Sequence, residues 1–113
     1  MKKTAPQPII DLKPHDWDEV QRILRTCVPQ FEVWAFGSRV KGAAKAYSDL
    51  DLAIMSDLPL PLASMAELRQ ALDDSDLTIK VDVVDWAQTS PRFRKIIEEN
   101  KLVVQLGKKG AQA

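Results

Sequence analysis

The sequence predicts an α+β domain: a small mixed β-sheet with helices packed mainly on one face. Apolar residues recur at helical spacing in Trp17, Val20, Ile23, Leu24 and Cys27, and again in Leu62, Met65, Leu68 and Leu72. By contrast, Leu50, Leu52 and Ile54 alternate with Asp49, Asp51 and Ala53, as in a strand with two unlike faces. The two kinds of segment interleave, and the connection between the first two strands is near the minimum for a parallel crossover, so an antiparallel pairing is expected within the sheet.

Taken in order, the residues before Pro14 carry Pro6 and Pro8 and one short apolar run, Ile9-Ile10, and read as a flexible N-terminal arm over 1–13. Pro14 suits a first helical turn, and the stripe that follows predicts a helix that Pro29 stops. Phe31 to Phe36 is rich in aromatic and β-branched residues and predicts the first strand. A glycine-bearing connection runs from Gly37 to Ser48, then comes the alternating strand, a loop marked by Pro59 and Pro61, and the second helix. Thr78 to Val84 predicts a third strand. Ser90-Pro91 is a cap and first-turn signal for a helix with Phe93, Ile96 and Ile97 turned inward, and Leu102 to Leu106 closes the domain as a last strand. The expected domain is therefore 14–106, with a frayed tail over 107–113.

Composition narrows the function classes. A chain of 113 residues with 45% hydrophobic and 28% charged residues has the balance of an ordinary globular domain. Its formal net charge is zero, which removes the long-range attraction behind general nucleic-acid or membrane-surface binding. The single cysteine, Cys27, excludes an internal disulfide, and no apolar run approaches the length of a signal peptide or a membrane span, so the expected location is cytoplasmic.

The chemistry concentrates in two short stretches, Gly37-Ser38-Arg39-Val40-Lys41-Gly42 and Ser48-Asp49-Leu50-Asp51. A glycine-serine turn at a strand end leaves backbone N–H groups and a hydroxyl free to cradle phosphate oxygens, with Arg39 and Lys41 adding positive charge. Asp49 and Asp51 emerge on one face of a strand, roughly 7 Å apart at the backbone. Magnesium prefers a few carboxylates completed by water and substrate phosphates, so the two halves together suit a Mg-NTP. Asp82 lies within a β-branched run where an unpaired charge is costly, which makes it the natural third ligand. Alternation places Asp82 and Lys80 on one face and Asp85, read as a turn or helix cap, on the other. Three clustered carboxylates repel one another unless a cation lies between them. Ser48 either orients these ligands or simply starts the strand. Trp17, Trp34 and Trp86 read as core or interface residues.

Gly37-Ser38, ten intervening residues and Asp49-Leu50-Asp51 together resemble the signature of the DNA polymerase β nucleotidyltransferase superfamily. More closely, Trp34 to Arg39, Ser48 to Ala53, Val81 to Asp85 and Phe93 to Ile97 resemble, in order, the minimal nucleotidyltransferase (MNT) proteins, over roughly Asp11 to Leu106. The resemblance implies the nucleotidyltransferase fold and transfer of a nucleoside monophosphate, AMP from ATP, onto a hydroxyl. It implies nucleotide contacts from Gly37, Ser38, Arg39 and Ser48. It also implies that Asp49, Asp51 and Asp82 act as catalytic residues and as ligands of two Mg²⁺ ions or of Mn²⁺. Where the family often reads Gly-Ser-Arg-Ala-Arg-Gly, this chain has Val40 and Lys41, which keeps the charge but loses the bidentate fork.

Larger members of the superfamily carry further domains that hold the acceptor, and with none expected beyond the core here the acceptor must be recognised differently. MNT proteins are typically paired with HEPN-domain proteins as antitoxin and toxin, so the resemblance implies a HEPN partner adenylylated on a tyrosine. Two alternatives stand beside it: a non-catalytic antitoxin that acts by binding alone, and a nucleotidyltransferase for a small hydroxyl compound such as an aminoglycoside. The last would need an acceptor pocket that this length provides only through dimerisation, which leaves a homo-oligomer open.

Overall fold

A computed structural model describes residues 10–107. The elements are α1 (Pro14–Cys27), β1 (Val33–Phe36), α2 (Ser38–Lys41), β2 (Leu50–Ile54), α3 (Leu62–Asp73), β3 (Val81–Asp85), a 3-10 turn (Trp86–Gln88), α4 (Pro91–Glu99) and β4 (Leu102–Gln105). The four strands form one sheet in the order β3-β2-β1-β4. β1 is antiparallel to β2 and to β4, and β2 is parallel to β3, which α3 makes possible as the crossover. The sheet is thus mixed, and the short connection through α2 does produce an antiparallel pair.

Alternation assigns the two faces. Val33, Ala35, Leu50, Leu52, Ile54 and Val83 point to one side, where Val20, Ile23 and Leu24 of α1 and Met65, Leu68 and Leu72 of α3 cover them. Five of these, Val33, Ala35, Leu50, Leu52 and Ile54, are fully excluded from solvent. Each fully buried leucine or isoleucine in this layer contributes roughly 1.5–3 kcal/mol of transfer free energy. The opposite face carries a smaller cluster, Phe36, Ala53 and Ile97, with Trp34, Val84, Trp86 and Phe93 against it. The second face is therefore covered in part, by α4 and by Trp86 of the 3-10 turn.

Three expectations need correction. Residues 10–13 do not form a loose arm: Ile10 and Leu12 pack against the main core, and Asp11 N–H donates to Arg39 O at 2.8 Å. The rest of the expected arm, 1–9, and the tail from 108 lie outside the described residues. β3 begins at Val81, later than Thr78. Thr78 is instead held by the buried carboxylate of Asp16, to which its amide donates at 3.0 Å and its hydroxyl at 2.5 Å. Ile96 is about half exposed at 47%, while Ile97 is the buried residue of α4. The α4 cap is as expected, with Ser90 Oγ accepting from Phe93 N–H at 3.1 Å and Pro91 at the first turn. Among the described residues no helix is long and apolar enough to cross a membrane.

Candidate functional site

Asp51 is the centre of the site because of where β2 lies. In register, it pairs with Phe36 of β1 on one side and with Asp82 of β3 on the other. Adjacent strands are about 4.8 Å apart, so the Asp51 and Asp82 carboxylates rise side by side from the face that α4 only partly covers. Asp49, two positions earlier and just before β2 begins, lies near enough for its charge to act on Asp51. Of the three carboxylates singled out from sequence, Asp51 and Asp82 thus stand side by side, with Asp49 nearby at the start of β2. Burial, then the charges of Asp82 and Asp49, push the Asp51 carboxyl above the ordinary carboxylate range.

The cations around them are few. Lys80 Nζ stands 3.8 Å from Asp82 Oδ1, but both side chains are well exposed and such a pair is weak. Among the described residues, no three His, Cys, Asp or Glu side chains are drawn close enough to cage an ion unaided. The expected trio of Asp49, Asp51 and Asp82 is thus not assembled as a ready cage, and an ion there would need water and substrate phosphates to complete its shell.

The glycine of the turn is placed by the same carboxylate. Gly37 has φ 85 and ψ −160, a conformation that only glycine adopts readily. A Cβ there would overlap Asp51 Oδ2 and lie 3.3 Å from Asp51 Cγ. The turn therefore touches the carboxylate it must accompany. From Gly37 the chain enters the single turn of α2, where Val40 and Lys41 N–H groups return to Gly37 O at 3.0 and 3.1 Å. Ser38 opens that turn, half-buried, and Gly42 ends it in the left-handed conformation at φ 79. Beneath Asp51, Phe36 meets Phe93 edge-on at 5.7 Å, so the start of α4 walls the site.

Arg39 differs from expectation. Arg39 is only 7% exposed, and its guanidinium faces main-chain carbonyls: Nε to Ser48 O at 2.9 Å, Nη1 to Asp11 O at 2.6 Å, and Nη2 to Lys45 O and Ala46 O at 3.3 Å each. It is thus engaged inside the fold in place of the expected phosphate contact. Ser48 Oγ accepts from Lys45 N–H at 2.8 Å, closing the loop before β2. Lys41 is exposed.

Asp85 lies on the opposite face from Asp82, and there its carboxylate is structural. It is buried and accepts from Ser56 Oγ, from Leu60 N–H at 2.7 Å and from Ala87 N–H at 3.3 Å, capping the 3-10 turn. Sequence reasoning missed three partnerships: Asp16 with Thr78, Arg39 with the loop carbonyls, and Arg69 Nη2, which donates to Val83 O at 3.2 Å on the edge strand. No local motif announces these, since each joins residues far apart in sequence or uses only main-chain acceptors.

Comparison with known proteins identifies the family and the fold. The sequence profile of the family described as "Polymerase beta, Nucleotidyltransferase" matches residues 19–108. A Haemophilus influenzae protein called "Probable protein adenylyltransferase MntA" is 50% identical over 96 residues, spanning 85% of this chain and 84% of that one. The fold is similar to that in a crystal structure of a toxin-antitoxin with AMP-PNP (TM-score 0.67, 24% identity, 85% of this chain and 77% of the other). It is also similar to one from a Shewanella oneidensis complex of a tri-AMPylated HEPN toxin with an MNT antitoxin (TM-score 0.60, 21% identity, 87% and 76%). With the profile running through every element from α1 to β4 and half of the aligned residues shared with the Haemophilus protein, the chain belongs to the polymerase beta nucleotidyltransferase family.

Proposed function

We propose that this protein is a magnesium-dependent protein adenylyltransferase that moves AMP from ATP onto a tyrosine hydroxyl of a HEPN-domain toxin and thereby acts as its antitoxin. The observation that carries this reading is Asp51, flanked in register by Asp82 and pressed against the Gly37 turn. The 50% identity to a probable protein adenylyltransferase supports the choice of AMP and of a protein acceptor.

Asp49, Asp51 and Asp82 would hold Mg²⁺, which supplies charge neutralisation for the triphosphate and lowers the barrier to losing the acceptor's proton. The chain's own residues do the rest. The Gly37-Ser38 turn receives phosphate oxygens through its N–H groups and the Ser38 hydroxyl. Asp82, on the edge strand, accepts the hydroxyl proton. The acceptor oxygen forms a bond to the α-phosphorus as the bond from that phosphorus to the bridging oxygen breaks, and pyrophosphate leaves. Positioning and electrostatics supply most of the acceleration.

The test is direct. Incubated with ATP, Mg²⁺ and the HEPN partner, the protein should add AMP to a tyrosine of that partner, read by intact-protein mass. Asp49→Asn and Asp51→Asn should each abolish the addition. Full neutralisation of the toxin by both inactive variants would reassign the protein as a stoichiometric binder, and transfer to a small alcohol alone would remove the protein acceptor.

A further inference from the structure

We infer that Arg39 is a positioning residue, a clasp that ties the Gly37-Ser38 turn to the peptide carrying Asp49 and anchors both on the main chain at Asp11. Its role in transfer rests on the function proposed above, but the clasp itself stands on geometry alone.

Arg39 directly follows Ser38, and its Nε donates to Ser48 O, the carbonyl of the peptide group whose nitrogen belongs to Asp49. One side chain thus bridges the two halves of the site. The same guanidinium reaches Lys45 O and Ala46 O, so it grips the loop at three carbonyls. The fixed point is Asp11, bonded in both directions: its N–H donates to Arg39 O at 2.8 Å, and its carbonyl accepts from Nη1 at 2.6 Å. The loop is closed internally as well, by Ser48 N–H to Lys45 O at 3.0 Å and Lys45 N–H to Ser48 Oγ at 2.8 Å.

The chemistry requires arginine. Among the described residues no carboxylate lies within salt-bridge distance of this 7% exposed cation, so carbonyl dipoles alone balance it. A planar fork of five donors can serve four carbonyls at once, whereas a lysine ammonium has three donors at a single point. The N-terminal segment, through its backbone, is therefore part of the frame that sets Asp49 relative to the phosphate turn.

Two measurements test this. In the wild-type protein, hydrogen exchange at the Asp11, Lys45 and Ser48 amides should be protected together as one opening unit. Protection at Asp11 with free exchange at Lys45 and Ser48 would overturn the clasp without any variant being made. In Arg39→Lys, shown folded by a cooperative melt, exchange at Lys45 and Ser48 should speed up about tenfold, the loss of roughly one net hydrogen bond. Transfer should then slow by about a hundredfold in kcat, as expected for a misplaced catalytic group. KM for ATP should change little, because Arg39 does not touch the nucleotide. Unchanged exchange, or wild-type kcat with a raised KM for ATP, would refute the positioning role and restore a phosphate contact. A wild-type protein that transfers no AMP to any acceptor would sink the proposed function, while the exchange results would still decide the clasp.

Discussion

Replacing Gly37 with alanine tests whether the turn and the Asp51 carboxylate are built against each other. Two costs add. At φ 85 and ψ −160 an alanine pays backbone strain of about 1–3 kcal/mol. Its methyl group would also overlap Asp51 Oδ2 and sit 3.3 Å from Cγ, so the carboxylate must swing away from the turn or the turn must lift. For a domain of this size the strain alone corresponds to a fall in Tm of roughly 4–20 °C. Displacing the carboxylate should slow transfer by about a hundredfold in protein that remains folded. Gly42→Ala is the control: it also has positive φ, at 79, but a Cβ there meets nothing within 4 Å. It should lose roughly 1 kcal/mol of stability and keep full activity. Thermal melts paired with rates of AMP transfer well below both melting points separate the terms. Equal rates for the two variants would refute the contact between turn and carboxylate, whatever their stabilities.

Asp51→Asn should raise Tm in metal-free buffer near neutral pH, because burial and the Asp82 and Asp49 charges hold the native carboxyl above its ordinary range. That penalty exists above the native pKa and fades as pH falls through it, so an unchanged or lowered Tm in chelator at pH 7 would contradict it. Asp16 has the opposite sign: burial works to raise its carboxyl, but the Thr78 hydroxyl and amide, with His15 and Lys13 nearby, bring it below the ordinary range. Its contribution is present above the unfolded pKa of about 4 and is lost as pH falls through the native value, so Tm of Asp16→Asn should fall less steeply than that of wild type in an acid titration. Asp85→Ala strands the buried Leu60 N–H and should cost about 1–3 kcal/mol in a denaturant melt, while KM for ATP stays at the wild-type value.

The parts of this fold that follow a period were legible in the sequence. Val20, Ile23 and Leu24 and the Met65, Leu68 and Leu72 stripe repeat at the helical interval, and both stripes cover the sheet face that alternation in β2 predicts. The same alternation put Asp82 and Asp85 on opposite faces of one strand, and the strand register then sets Asp82 beside Asp51. What could not be read depends on long-range partners. Asp85 reads as a turn or helix cap, but nothing local marks the partners that seal it, Ser56 and Leu60 from across the loop. Arg39 sits in a motif that suggests phosphate, but its acceptors are carbonyls, which every residue possesses and no sequence pattern marks.

Arg39's withdrawal changes the electrostatics of the site. Of the basic residues near it, Arg39 is committed to carbonyls and Lys80 stands closest to Asp82, which leaves Lys41 exposed at the end of α2. Against these stand three carboxylates, one of them, Asp51, raised above the ordinary carboxylate range by burial and then by the other two charges. A triphosphate approaching such a surface meets like charge at close range, and lysine on a flexible stem offsets little of it. On the proposed reading, attraction for the nucleotide must therefore be delivered with it, by divalent ions that the carboxylates attract as strongly as they repel bare ATP. Nucleotide and Mg²⁺ should then bind as a unit, each tightening the other reciprocally. The chain's formal neutrality and its acidic site are consistent on this view, since the positive charge that catalysis requires is supplied by the ions and not by side chains.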